Sequence, residues 1–228
     1  MDNTREWRLR LVLLEAPLET VPRELWSHPQ VARSARRYGV EPGRLLLDKS
    51  LHYNAMEVLP QKWKRGRPDI VHTTLMVLQD TLLPQGMLEV YIHVLDGRVF
   101  RLSPNVRLPK NYERFKGLMA QLLEEGRVPP RGEPLVWVEY SSLGELAGEM
   151  GLILLWEKGK ARRPGEVVAR ALATGMPLGI GMFPRGDFKR STLRKAVEAY
   201  SIAGGRPLKA WGVAGRLLYS AERILGLV

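Results

Sequence analysis

Gly151-Leu152-Ile153-Leu154-Leu155-Trp156 and Pro177-Leu178-Gly179-Ile180-Gly181-Met182-Phe183 are the stretches on which the fold turns. Both are short apolar runs bounded by Gly and Pro, the pattern of strands buried on both faces. Between them, Pro164–Thr174 opens with proline and is followed by Gly175, which predicts a helix. The alternation continues on either side. Upstream, Leu135–Tyr140 predicts a strand, and Ser142 with Glu145 has capping-box spacing for a short helix. Downstream come a helical Ser191–Lys195, a strand Ala196–Ile202 and a long amphipathic helix Pro207–Ile224. Strand–helix alternation predicts an α/β fold with a mostly parallel sheet. Ligands of such sheets bind where loops leave the carboxyl ends of the strands. Three loops are thereby singled out: Trp156–Arg163, Phe183–Lys189 and Ala203–Pro207.

The first half is less regular. Trp7, Leu9, Leu11 and Leu13 alternate with Arg8, Arg10 and Val12, which reads as an opening strand. Helices are predicted at Pro29–Gly39, Ser50–Leu59 and Pro68–Gln79, with a short buried strand at Arg44–Asp48. Met87–Leu95 and Arg98–Leu102 predict a hairpin across Asp96-Gly97, with positive φ at both turn residues. Two prolines make Ser103–Lys110 a loop. Asn111 is placed to cap a helix Tyr112–Glu125 that Gly126 ends. Pro129–Pro134 is the best candidate for an internal boundary.

Composition narrows the class. In 228 residues, 45% are hydrophobic and 26% charged, which excludes a disordered chain or a disulfide-stapled miniprotein. Lys plus Arg number 35 against 24 acids, a net charge of +11 that points to an acidic partner, most often nucleic acid. A basic thermophile-like surface is the alternative. There are no cysteines, which removes disulfides, zinc-thiolate sites and a cysteine nucleophile. His28, His52, His72 and His93 lack close spacing, so no metal site is expected. No apolar run is long enough for a bilayer. Met1–Glu6 has no signal core, and a soluble cytoplasmic protein is expected.

Basic residues cluster at Lys62, Lys64, Arg65 and Arg67, and again at Arg98, Arg101, Arg107, Lys110, Arg114 and Lys116. Arg107, Lys110 and Arg114 span a loop and a helix start, where cations gain nothing from the helix dipole. Their placement makes more sense if phosphate sits between them than as a solvated face, which is the alternative. In Arg67-Pro68-Asp69 the carboxylate is able to hold and aim the guanidinium. On spacing alone a helix-start carboxylate with an incidental neighbour is favoured. His72 reads as a half-buried packing residue rather than a base. Gly179-Ile180-Gly181 lacks the spacing of a dinucleotide fingerprint, so a nicotinamide-linked oxidoreductase has no motif behind it. Glycine-bearing loops do suit a flat ligand such as adenine, approached by backbone N–H and C=O groups.

Six stretches, in order, resemble the small-subunit ribosomal RNA pseudouridine-N1 methyltransferases of the SPOUT class in their archaeal form. They are Leu46–Met56, Gly66-Arg67-Pro68-Asp69-Ile70-Val71-His72, Val106–Lys110, Phe115–Leu123, Gly181–Phe188 and Pro207–Trp211. The resemblance implies a single SPOUT-type methyltransferase domain over 1–228. Its fold would be a mostly parallel sheet with a C-terminal trefoil knot and a family-specific α/β insertion. It implies a homodimer and S-adenosyl-L-methionine bound by the knot loops, through Gly159, Gly181, Gly186 and Ile202, Ala203, Gly204, Gly205, Arg206, Pro207 and Leu208. It implies RNA contacts from Arg67, Arg107, Lys110 and Arg114, with Lys110 standing where the family usually has arginine. Arg67 held by Asp69 would be the catalytic pair. The reaction implied is methylation of N1 of a pseudouridine in a hairpin loop of small-subunit ribosomal RNA, with a role in ribosome assembly. A non-catalytic assembly factor that clamps an RNA hairpin is the rival. It needs the basic residues but not the three loops.

Overall fold

The computed structural model describes residues 8–228. The readings of Trp7 and of Met1–Glu6 lie outside the described residues. One eight-stranded sheet runs in the order β4-β5-β3-β2-β1-β7-β6-β8. Its strands are β1 (Leu9–Ala16), β2 (Leu88–Val94), β3 (Val99–Leu102), β4 (Arg127–Val128), β5 (Val136–Tyr140), β6 (Ile153–Ala161), β7 (Leu178–Gly181) and β8 (Glu198–Ser201). The five strands from β2 to β8 in that order are parallel, and β3, β5 and β4 extend one edge antiparallel. Pro129–Pro134 is no boundary in the sheet, because it joins two paired strands, β4 and β5.

Eight helices complete the order: α1 (Pro29–Tyr38), α2 (Lys49–His52), α3 (Pro68–Gln79), α4 (Tyr112–Glu125), α5 (Leu143–Met150), α6 (Pro164–Thr174), α7 (Arg190–Leu193) and α8 (Ala210–Ile224). Local chemistry sets their ends. His28 Nδ1 accepts from the Gln30 N–H at 3.2 Å to start α1. Asn111 Oδ1 accepts from the Arg114 N–H at 3.0 Å to start α4. Gly39, Gly126 and Gly175 close α1, α4 and α6 with φ of 64°, 74° and 74°, where a side chain would be strained.

The two periodicities of β1 explain the layers. Leu9, Leu11 and Leu13 face the main core with β2, β7 and helices α3, α4, α6 and α8. Val12 and Leu14 face the other side, under α5 and Phe188. A strand buried on both faces sits mid-sheet. A satellite core of Val21, Leu25, Val31, Leu45, Leu47, Met56 and Leu59 lies in the long β1–β2 crossover.

Four local expectations are corrected. Arg44–Asp48 is no strand: Leu45–Leu47 is buried, but its backbone joins no sheet and pairs with Glu19–Val21 through the single bridge Thr20–Leu46. Ser50–Leu59 is not one helix but α2 and a separate turn at Ala55–Val58. The β2–β3 loop has positive φ at Gly97 alone, because it is a three-residue turn with Gly97 N–H bonded to Val94 O and Val94 N–H to Arg98 O. The loop expected from Trp156 is largely strand. β6 pairs with β8 up to Leu155, bulges, and pairs again from Lys160.

Gly159 sits in that bulge, and an added Cβ would lie 2.6 Å from Tyr200 N and 2.7 Å from Ala199 C. Those are backbone atoms of β8, which cannot step aside without parting the strands. Gly159→Ala is therefore expected to destabilise the fold by about 1–3 kcal/mol. Gly148→Ala, in α5 with nothing within 4 Å of the new methyl, is expected to add up to about 1 kcal/mol. Denaturant unfolding of both variants checks the contrast.

Candidate active site

The parallel strands end on one side in a cleft between the loop after β7 and the loop after β8. Its lining includes Leu155, Trp156, Glu157, Ile180, Gly181, Phe183, Gly186, Asp187, Ile202, Ala203, Arg206, Pro207 and Leu208. Of the predicted cofactor residues, Gly181, Gly186, Ile202, Ala203, Arg206, Pro207 and Leu208 meet there. Gly159, Gly204 and Gly205 do not line it. Gly159 instead lets β6 and β8 approach. Gly204 and Gly205, with φ of 60° and 79°, turn the chain so that the residues around them face the cleft. Ser201 Oγ fixes this turn by accepting the Gly205 N–H at 2.9 Å.

Asp187 stiffens the opposite wall. Its Oδ1 accepts from Trp156 Nε1 at 2.7 Å and from the Phe188 N–H at 2.8 Å, and its Oδ2 accepts from Lys158 Nζ at 2.7 Å. Burial alone would raise its pKa; these three donors outweigh it and hold the carboxyl below the usual range. Gly181 is small for a packing reason, since a Cβ would lie 2.9 Å from the Phe188 ring.

Behind the cleft lies an ion pair with no signal in the motifs. Glu15, at the end of β1, is 1% exposed. Lys64 Nζ donates to its Oε2 at 2.8 Å. Its Oε1 accepts from the Lys189 N–H at 2.7 Å and Thr192 Oγ1 at 2.9 Å. Lys64 Nζ also donates to the Asp187 backbone carbonyl and lies 4.2 Å from the Phe183 ring centroid. The basic stretch Gln61–Arg67 is thus fastened directly to the cleft loop. The clue in the sequence was Glu15 as the one acid in the run Leu9–Ala16.

The cations sort into two kinds. Lys62 pairs with Glu57, Arg65 with Glu19, Arg98 with Asp96, Arg101 with Glu89 and Glu139, and Lys116 with Asp48 and Glu113. These are neutralised within the chain, so most of both clusters belongs to the scaffold. Arg107, Lys110 and Arg114 are exposed and have no acidic partner among the described residues. Arg67 is intermediate. Its Nε and NH2 donate to Asp69 Oδ1 and Oδ2 at 2.8 and 2.7 Å, a two-point fork that leaves part of the guanidinium exposed. The carboxylate is therefore no incidental neighbour. His72 is buried, its Nε2 is 2.9 Å from the Pro109 carbonyl, and its ring packs 4.5 Å from Phe115. It carries the loop that bears Arg107 and Lys110 onto α3. Among the described residues no group of three His, Asp or Glu side chains is placed to hold a metal ion.

The chain matches the EMG1/NEP1 methyltransferase family over residues 11–222. A protein of Aeropyrum pernix named ribosomal RNA small subunit methyltransferase Nep1 is 60% identical over 219 residues, 95% of this chain and 98% of that one. One of the same name from Saccharolobus solfataricus is 42% identical, over 96% of this chain and 98% of its own. The structure resembles that of Archaeoglobus fulgidus Nep1 bound to S-adenosylhomocysteine, with a TM-score of 0.85 and 36% identity over 96% of this chain and 99% of that one.

Lys64→Met would strand the Glu15 charge inside the fold. The expected loss is about 3–5 kcal/mol in urea unfolding, much of it restored by adding Glu15→Gln. Acid has a separate effect. Burial holds His93 down to about 4, against the pull of Glu15, and His52 likewise to about 4, against Asp48. Unfolded rings titrate near 6.5, so between these values the unfolded chain binds protons that the folded one refuses. Stability is therefore expected to fall as pH drops from about 6.5 towards 4, by at most about 1.4 kcal/mol per unit for each ring. Imidazole NMR titration should find both rings still neutral at pH 5.

Proposed function

As this chain belongs to the EMG1/NEP1 methyltransferase family, we propose that it transfers a methyl group from S-adenosyl-L-methionine to small-subunit ribosomal RNA. The observation that carries this is the cleft itself, walled by apolar and polar side chains and by loop backbone at the carboxyl ends of the parallel strands. The rival assembly factor needs no such cleft. Within the reading, the acceptor is N1 of a pseudouridine in a hairpin loop, and the modification serves ribosome assembly. Uridine N1 is tied to its sugar, whereas pseudouridine N1 carries a proton that can leave.

The residues present suit the cofactor. Leu155, Ile180, Ile202 and Leu208 would enclose a purine, peptide groups of 202–208 would meet its polar edge, and Arg206 would face a carboxylate. When bound, the cofactor supplies an electrophilic methyl group. A sulfonium already activates that carbon, so the reaction is written without a metal. The protein's share is placement and charge. Arg107, Lys110 and Arg114 hold the RNA backbone. Arg67, aimed by Asp69, grips the splayed nucleotide and meets the negative charge that develops as the N1 proton passes to solvent and the methyl group takes its place.

The same reading makes 1–228 one methyltransferase domain with a C-terminal trefoil knot. The adjacency of the loops after β7 and β8 on either side of β6 supports this. It also makes the protein a homodimer, for which Tyr219, Ile224 and Leu227 offer exposed apolar surface at and beyond α8. No helix among the described residues is long and apolar enough to cross a membrane, and the reading places the enzyme in the cytoplasm.

Two RNA hairpins that differ only in one loop base, uridine or pseudouridine, test the function. Incubation with S-adenosylmethionine, digestion and mass spectrometry should find one methyl on the pseudouridine alone. Both hairpins bound and neither methylated would favour the assembly factor. Asp69→Asn should lower kcat/KM for the pseudouridine hairpin about a hundredfold, the scale of a misplaced catalytic group, with S-adenosylhomocysteine affinity unchanged.

A further inference from the structure

We propose that the Trp63 indole is a stacking platform for an RNA base at the edge of the cleft, an inference that rests on the RNA methyltransferase reading above. Trp63 is 51% exposed. The other described indoles are engaged. Trp26, Trp137 and Trp156 donate their N–H to Val21 O, Glu139 and Asp187, and Trp211 packs against the core. Trp63 Nε1 has no hydrogen-bond partner among the described residues. Leaving so large an apolar ring in water runs against its usual burial.

Its surroundings say what the ring faces. Trp63 lies against Gly186, where a Cβ would sit 3.3 Å from Nε1 and 3.5 Å from Cδ1, and Gly186 lines the cleft. The turn Lys62–Lys64 that carries it is held at both ends. Gln61 and Gly66 bend the chain with φ of 51° and 62°, and the Lys49 N–H donates to Gly66 O at 2.8 Å. Lys64, the next residue, is locked to Glu15 and to the Asp187 carbonyl. The backbone that presents the ring is therefore held in place, and the ring forms a ledge beside the cleft loop. Arg67 follows four residues on. A strand that delivers a nucleotide to the cleft beside Gly186 passes this ledge, and an aromatic face there takes a neighbouring base of any identity.

The test compares wild type with Trp63→Ala and Trp63→Phe on the pseudouridine hairpin. Measured quantities are RNA Kd, KM and kcat, S-adenosylhomocysteine affinity by calorimetry, and Tm. Trp63→Ala should raise RNA Kd and KM roughly tenfold to a hundredfold, the range of one base–aromatic stack, with kcat changed little. Trp63→Phe should recover most of the loss. In both variants Tm and S-adenosylhomocysteine affinity measured without RNA should stay near wild type. An unchanged RNA Kd in Trp63→Ala overturns the proposal. So does a fall in Tm and cofactor affinity as large as the fall in RNA affinity, without rescue by Phe, since that is a structural prop. RNA Kd needs no methyl transfer, so these outcomes judge Trp63 even where the methylation assay rejects the wider reading.

Discussion

The buried Glu15 carboxylate is the constraint on which the arrangement of the cleft depends. A charge taken out of water costs several kcal/mol unless a counter-ion and further donors meet it. Here they come from three separate places: Lys64 from the crossover, the Lys189 N–H after the cleft loop, and Thr192 on α7. None of them is near Glu15 in sequence. The carboxylate is satisfied only when the end of β1, the basic stretch and the far side of the cleft loop have all come together. The same lysine then reaches the Asp187 carbonyl, and the Asp187 side chain holds Trp156 on β6. A chain of polar contacts thus runs from the sheet to the rim without a break.

Net charge by itself says little about where a partner binds. Ion pairs absorb Lys62, Lys64, Arg65, Arg98, Arg101 and Lys116, several of them half-buried or buried. Lys116 shows why. Its ammonium joins Asp48, which also caps α2 by accepting the Ser50 N–H at 2.9 Å, so this cation belongs to the scaffold. Within the second basic cluster, the residues left without an acidic partner among the described residues are Arg107, Lys110 and Arg114, where a helix start already favours anions. Three cations kept unpaired beside that dipole are a stronger pointer to phosphate than the whole surplus of charge.

Elements whose signal is local were readable in the sequence. α3, α4 and α6 begin and end where Pro68, Asn111, Pro164, Gly126 and Gly175 said they would, because caps and glycine conformations need only neighbouring residues. All the strands but the two-residue β4 were found for the same reason. The misses depend on distant partners. Leu45–Leu47 has the apolar content of a strand but no neighbour to pair with beyond Thr20. β6 runs past Trp156 because β8 resumes pairing beyond the bulge, and nothing in Glu157–Lys160 announces this. Ser142 receives half its capping box; Glu145 turns instead to Ser141, whose N–H it accepts at 2.8 Å. Of the candidate site, Gly181, Gly186 and the residues flanking Gly204-Gly205 were legible as loop chemistry. Glu15 and the inward turn of Lys64 were not, since an ion pair across 49 positions leaves no local pattern.

The strand order explains why the cleft lies where it does. β6 is flanked by β7 on one side and β8 on the other, so the connections leaving those two strands diverge and then face each other across the end of β6. A parallel sheet opens a crevice at such a point, beyond the carboxyl ends of its strands. Here β1 lies next to β7, and the Met182 N–H donates to Leu14 O at 2.9 Å, which brings Glu15 to the base of the same crevice. Any residue that bonds to Glu15 must therefore approach the cleft. The crossover after β1 does so through Lys64, and its neighbour Trp63 arrives against Gly186 of the cleft loop as a consequence of chain connectivity. The long β1–β2 crossover in the first half of the chain is tied by one ammonium to the cleft loop of the second half.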